Sequence, residues 1–398
     1  MRTTILILIF SFISSASPTS PEWGFFGHRK INRMAVFTLP SELIPLYKSN
    51  IEYLTEHGVD PDKRRYATAT EAVRHYIDLD HWGEHPFDNI PRNRDEVLMK
   101  FTTLSVIDSG DTIMILDFRE ELNLPDTISV FDEDFPMLAY KEFFRQNIKK
   151  EIEQGVSDIL IETDFFGDHK IQLFAIDHFT DHGINPYNSL YYYYKLRDAF
   201  IDVNWKRVIK ISTDFGHYIA DGHVPLHTSK NYNGQLTNQV GIHAFWESRI
   251  PELFADGQFD LFTGKAEYID DPGTYIWDYV LASHSFVDSV LAIEKRLSYT
   301  FPTDQQYCFE ERLEKITRTQ CSAYAMKYMQ EMDGMVEDRM REAVKAIGSL
   351  WYSAWVDAGQ PIVPKDLVIA WDDEEKQLMQ ALENVFRTES IKGRSHEN

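Results

Sequence analysis

The segment HYIADGHVPLH, His217 to His227, gathers three histidines and an aspartate in eleven residues. His217 and Asp221 stand four apart, so on a helix they share a face and can address one ion. Pro225 has no amide hydrogen and clashes with the turn before it, so that helix must stop. The chain then turns, which frees His227 to reach a neighbouring ion. His223 lies two residues from Asp221, points off the shared face and reads as structural.

Working outward, HAFWESRIP sets His243 and Glu247 four apart, again on one helical face. TATEAVRHYIDLDHW reads as a helix opened by a Thr68/Glu71 capping box, and it carries His75. Asp60 sits in the loop GVDPDKRR, and His28 opens the helix GHRKINRMAVF five residues after Trp23. Imidazole and carboxylate donors without thiolate suit Zn²⁺, in sites that can keep a position for water. Ligands drawn from several helices are how bundles build metal sites in their cores. A lone His-x-x-x-Asp pair is usually a solvated pair or a satisfied core histidine. Here two such pairs flank His227 within thirty residues, and it is the combination that points to metal. His57, His81, His85, His169, His178, His182, His284 and His396 read as surface or capping residues. Asp78 and Asp80 either orient His75 or face solvent.

The rest of the chain reads largely as helix. PSELIPLYKSNIEYLTEHG predicts one helix ending at Gly58, and NSLYYYYKLRDAFIDVNWKRVIKISTDFGHYIADG predicts two amphipathic stretches. The segment from Cys321 to Gly359 predicts one long helix whose methionine and aromatic stripe is core packing. Residues 94–181 differ. TLSVIDSGDTIMILDF and DILIETDFFGDHKIQLFAID predict β-hairpins that turn at Asp108–Asp111 and Phe166–Asp168. The expected fold is therefore mainly α, a multi-helix bundle with an α+β insertion. Residues 1–16, with an apolar run too short to span a bilayer, read as a secretory signal peptide. Residues 17–360 read as the main domain, and 361–398 as an acidic tail with one short helix that then frays. This places the protein in the periplasm or outside the cell. An oxidising compartment permits a Cys308–Cys321 bond. One straight helix carrying both would separate them by roughly 20 Å, beyond bonding reach. The net charge of −23 disfavours attraction of polyanions by the overall field.

WGFFGH, DPDK, HYID, HYIADGHVPLH and HAFWE, with AVKAIGSLWYSAW closing the domain, resemble in order the zinc-dependent phospholipase C and single-strand-specific zinc nuclease superfamily. The resemblance runs from Trp23 to about Gly359, interrupted by the insertion. It implies a mainly helical enzyme with two or three Zn²⁺ ions in a cleft. The first zinc would take Asp60, His75, His217 and Asp221, and the second His227, His243 and Glu247. The third would take the Trp23 main chain and His28, with Asp221 bridging from the first. In this family the mature chain begins at that Trp. A cut after Ala16 instead leaves Ser17 to Glu22 ahead of it, so the third site would rest on the Trp23 carbonyl. The resemblance makes Asp60 the residue that orients or deprotonates the attacking water, and Lys63 a phosphate contact.

Glu247 matches the phospholipases, where the nucleases have Asp, and Ser248 stands where the nucleases have Asn. Both lean towards a phospholipase C type of phosphodiesterase acting on a phospholipid or another small phosphodiester. A single-strand nuclease or 3′-nucleotidase is the alternative. A non-catalytic protein stapled by zinc is the rival from another class, and closed four-coordinate sites would support it. A membrane-surface module would need a basic amphipathic helix, which is missing. No transmembrane segment and no protein partner are implied. Tyr232, Phe245 and Trp246 read as core residues that could also stack on a base or touch lipid.

Overall fold

The computed structural model describes residues 25–166, 171–312 and 315–394. The expected signal peptide, Trp23, and Gly167 and Asp168 of the second predicted turn lie outside them.

Four helices form the frame: Phe25–Ala35, Asn185–Ile201, Trp205–Gly222 and Met335–Asp357. They pack on one another around a single large apolar core. Aromatic side chains fill much of it, with Trp351 against Tyr47 at 4.9 Å between ring centroids. The Tyr47 hydroxyl is satisfied by Ser212 Oγ at 2.8 Å, which lets so large a polar-tipped ring be buried. Phe245 and Trp246 are core residues, as expected.

The insertion carries its own core. Its strands are β1 (Thr102–Asp108), β2 (Asp111–Leu116), β3 (Thr127–Val130), β4 (Glu133–Pro136), β5 (Asp158–Thr163) and β6 (Ile171–Asp177). β2, β1, β6 and β5 form one antiparallel sheet in that order, while β3 and β4 pair separately. Alternation decides the buried face: Leu104, Val106, Leu173, Ala175 and Ile159 share a core with Tyr140 and Phe144 of the helix after β4 and with Ile148, which joins it to the next helix. The β1–β2 turn is the expected one. Ser109 and Gly110 both have positive φ (53° and 93°), the backbone that a two-residue hairpin turn requires.

The fold class itself needs correction. Among the described residues helices cover 55% and strands 12%, including a four-stranded antiparallel sheet, so the protein is mixed α+β, mainly helical but not an all-α bundle. One more hairpin, β7 (Tyr307–Arg312) and β8 (Lys315–Gln320), adds to the sheet content outside the insertion. Cys308 on β7 and Cys321 just past β8 are joined by a disulfide with Cα atoms 5.0 Å apart. The single-helix geometry that would have separated them does not occur.

Three predicted helices are broken. Asp333 and Gly334, with φ of 50° and 85°, divide the long C-terminal prediction into Ser322–Glu331 and Met335–Asp357. Asn50 divides another into Ile44–Ser49 and Ile51–Glu56, and its side chain donates to the carbonyls of Leu46 and Leu367. The segment before His75 is helical only over Ala69–Ala72. In the tail, a capping box at Asp372 and Glu375 starts one helix, Asp373–Thr388. Among the described residues no helix is long and apolar enough to cross a membrane.

Candidate metal centre

His217 and Asp221 lie on the last turns of Trp205–Gly222, and the chain leaves that helix at His223. Pro225 begins a short 3-10 turn, Pro225–Thr228, which carries His227 back towards the helix end. His227 Nε2 comes within 3.9 Å of Asp221 Oδ1. His243 and Glu247 meet at 2.7 Å, and Glu247 lies in a π-helical turn, Phe245–Arg249, a distortion often found at functional sites. His28 sits one turn inside Phe25–Ala35. His75 lies in non-helical chain, fully buried.

These side chains form three adjoining groups: Asp62, His75 and His217; His28, His217 and Asp221; and His227, His243 and Glu247. Within each, the candidate ligand atoms lie within 4.8 Å of one another. Two carboxylates tie the groups together. Asp221 turns Oδ2 to His75 (2.9 Å) and His217 (3.3 Å), and Oδ1 to His28 (3.4 Å). Glu247 turns Oε2 to His243 and His227 (3.3 Å), and Oε1 to His28 (3.4 Å).

The imidazole hydrogens can be assigned from their partners. A carbonyl oxygen only accepts, so His227 Nδ1 donates to His75 O (2.6 Å) and His243 Nδ1 to Tyr232 O (3.1 Å). His217 Nδ1 likewise donates to Gly58 O (2.9 Å). Burial depresses His227, yet Asp221 and Glu247 raise it above the ordinary histidine value. With Nδ1 carrying the N–H, neutral rings would turn lone pairs towards each other at the Nε2 atoms of His227 and His243, which lie 3.2 Å apart beside the Glu247 carboxylate. Only a cation between them, a metal ion or an added proton, removes that repulsion. Backbone carbonyls that fix the far nitrogen of each ring are the usual outer support of metal-bound histidine. The donor set of imidazole nitrogen and carboxylate oxygen, buried and free of thiolate, fits zinc.

The electrostatics agree with a strongly polar, dry cluster. Burial pushes the Asp221 carboxyl up, but His217, His227 and His75 hold it well below the usual carboxylate range. Glu247 is held down in the same way by His227, His243 and His28. Burial depresses His217, yet Asp221 and Asp62 raise it to about 9. Burial dominates at His75 and His243, which stay below the ordinary histidine value.

The carboxylate brought to His75 and His217 is Asp62, not the expected Asp60. Asp62 Oδ1 lies 3.7 Å from His75 Nδ1 and 3.8 Å from His217 Nε2. The two residues stand on one short helix, Asp60–Arg64, where a two-residue step turns the side chain through about 200°. Only one can face the histidines. Asp60 instead pairs with His57 Nδ1 (2.7 Å) and Lys63 Nζ (3.3 Å). Lys63 also reaches Glu383 of the C-terminal helix at 3.1 Å, so its ammonium is held by two carboxylates. Trp23 lies outside the described residues.

Glu71, read as a capping residue, has another role. It is buried, accepts from the Tyr218 hydroxyl and Arg74, and stands 3.9 Å from His75 Nε2. Its only hint in the sequence was an acidic side chain four residues before His75. His223 is structural, stacked on Tyr279 at 4.3 Å and donating to Ile219 O. Compared with protein-family models and with curated proteins, the chain finds no match.

Proposed function

We propose that this is a secreted zinc-dependent hydrolase of phosphate esters, a phosphodiesterase of the phospholipase C type. The observation that carries the reading is the approach of the His227 and His243 Nε2 atoms to 3.2 Å beside Glu247, a group joined through Glu247 and Asp221 to two further groups of the same kind. Asp62, His75, His217 and Asp221 would hold one ion, and His227, His243 and Glu247 a second. His28 with the far oxygens of Asp221 and Glu247 would hold a third. Zinc held there would supply Lewis acidity and water of lowered pKa, the chemistry that phosphoryl transfer to water needs.

The chain's own residues do the rest. Asp221 is almost completely buried, whereas Asp62 is 18% exposed, the most open carboxylate of the group. Water reaches Asp62 most easily, so Asp62 is the candidate acceptor for the proton of the attacking water. Glu71 holds the His75 side of the cluster through Tyr218 and Arg74. The apolar helices behind the cluster exclude bulk water and so strengthen every charge interaction inside it. The disulfide fits the oxidising compartment that the N-terminal reading implies.

A nucleic-acid substrate is the second reading, favoured by a flat slot between Tyr76 and Tyr232. A guanidinium carbon lies 4.0 and 3.6 Å from their ring centroids, the contact that a planar π group could also make. The test is hydrolysis of bis(p-nitrophenyl) phosphate, phosphatidylcholine vesicles and single-stranded DNA, before and after chelation. Turnover that vanishes with zinc and returns on its addition is expected. Undiminished turnover by the metal-free protein refutes the reading, and cleavage of DNA but no phospholipid reverses the order of substrates.

A further inference from the structure

The guanidinium in the tyrosine slot belongs to the chain itself. It is Arg394, at the end of a segment that crosses from one bank of the metal centre to the other. On the first bank Glu383 holds Lys63, and Phe386 packs on Phe25 and Tyr66 with centroids 5.4 and 5.2 Å away. The Lys392 amide then donates to Arg65 O at 2.8 Å, and Arg65 donates in turn to Arg394 O. On the other bank Arg394 Nη1 donates to Asp78 Oδ1 and Nη2 to Ser229 O, both at 2.7 Å. Every anchor neighbours a candidate ligand. Arg65 follows Asp62 on the same stretch, Tyr76 follows His75, Ser229 is two residues past His227, and Tyr232 O receives His243 Nδ1.

We infer that residues 389–394 form an intramolecular strap, with Arg394 as a plug that competes with ligands for the mouth of the metal centre. This rests on the metal reading above and adds regulation to it. The anchoring favours a strap over a permanent wall. Phe386 is the one buried residue of Asp373–Thr388 among those described, so the whole C-terminal element is held by few apolar contacts. The Arg394 side chain, 9% exposed, is held by polar bonds to Asp78 and Ser229 and by the two tyrosines, contacts that a cationic or flat ligand group can replace. Release exposes the Tyr76–Tyr232 slot and Asp78 together and frees a path to the ions.

The experiment compares the full chain, Arg394→Ala and a chain ended after Thr388. Two readouts are taken: the rate at which a chelator removes zinc, and KM for bis(p-nitrophenyl) phosphate. If the open form is about a tenth of the population, KM should fall roughly tenfold in both altered proteins with kcat unchanged. Zinc should leave faster in both by a similar factor. Unchanged KM and unchanged zinc removal overturn the strap. If no protein turns over any phosphodiester, the phosphate-ester reading falls and zinc removal alone decides. Faster removal in both altered proteins then supports the strap, and equal rates overturn it.

Discussion

Gly216→Ala should destabilise the protein although it replaces glycine by the best helix former in the middle of a helix. Alanine there gains about 1 kcal/mol of helix propensity. The added Cβ, however, would sit 2.0 Å from Asn32 Oδ1 and 3.0 Å from Asn32 Cγ. Asn32 cannot give way easily. It is buried, its Nδ2 donates to Thr213 O (3.1 Å) and Leu54 O (3.4 Å), and Gly58 closes the other side, where a Cβ would lie 2.6 Å from Nδ2. Asn32 is therefore a wedge between two glycines, one beside His217 and the other supplying the carbonyl that orients it. Overpacking of this kind costs about 1–3 kcal/mol. Expelling the amide would forfeit its two hydrogen bonds to the Thr213 and Leu54 carbonyls, at about 0.5–1.5 kcal/mol each. Net destabilisation of about 2–4 kcal/mol follows, read as a lower midpoint in urea unfolding of chelated protein. Adding Asn32→Ala to Gly216→Ala should recover part of it, because the two positions touch. A Gly216→Ala protein as stable as the original, or more so, would refute the wedge.

Further outcomes follow from the same structure. Asp62→Asn should lower zinc content and activity together, whereas Asp60→Asn should leave zinc content unchanged; metal analysis of the two purified variants decides between them. His223 is pushed down to about 3 by burial and by Arg339. Its contribution is therefore intact above the unfolded value near 6.5 and is lost as pH falls towards 3, by up to ~5 kcal/mol. Urea titrations in chelator at several pH values should show a shallower acid loss for His223→Phe, and identical pH profiles would contradict this. Reduction of Cys308–Cys321 should loosen the β7–β8 hairpin and leave zinc content intact, as amide exchange confined to residues 307–321 would show.

The candidate metal centre was largely legible because its signal is periodic and local. Pairs four apart, such as His217/Asp221 and His243/Glu247, converge whether the turn is α or slightly widened to π. Pro225 marked the bend that returns His227. Where the reading slipped, competing carboxylates or turns had equal local claims. Asp60 and Asp62 differ only in which way a five-residue helix is rotated, and tertiary packing sets that rotation. Glu71 had the spacing of a cap, but Tyr218 and Arg74, from 147 and 3 residues away, claimed its oxygens. The hairpins at Thr102–Leu116 and Asp158–Asp177 announced themselves by alternation, yet the sheet that joins them is a long-range pairing that no local pattern specifies. The β7–β8 hairpin, rich in Glu, Lys, Arg and Thr, has little apolar alternation to find, and so the strand content was undercounted. Arg394 was invisible for the same reason, since its partners are 316 and 165 residues away.

Whether the buried histidine and carboxylate groups hold zinc is the central question. Zinc K-edge absorption on purified protein, combined with metal analysis, measures ligand type and stoichiometry in one sample. Two or three ions per chain, bound by nitrogen and oxygen with no sulfur and lost when His227 and His243 are replaced by Ala, is the expected result. A protein that binds no zinc under these conditions, or keeps its full complement in that double variant, would contradict it.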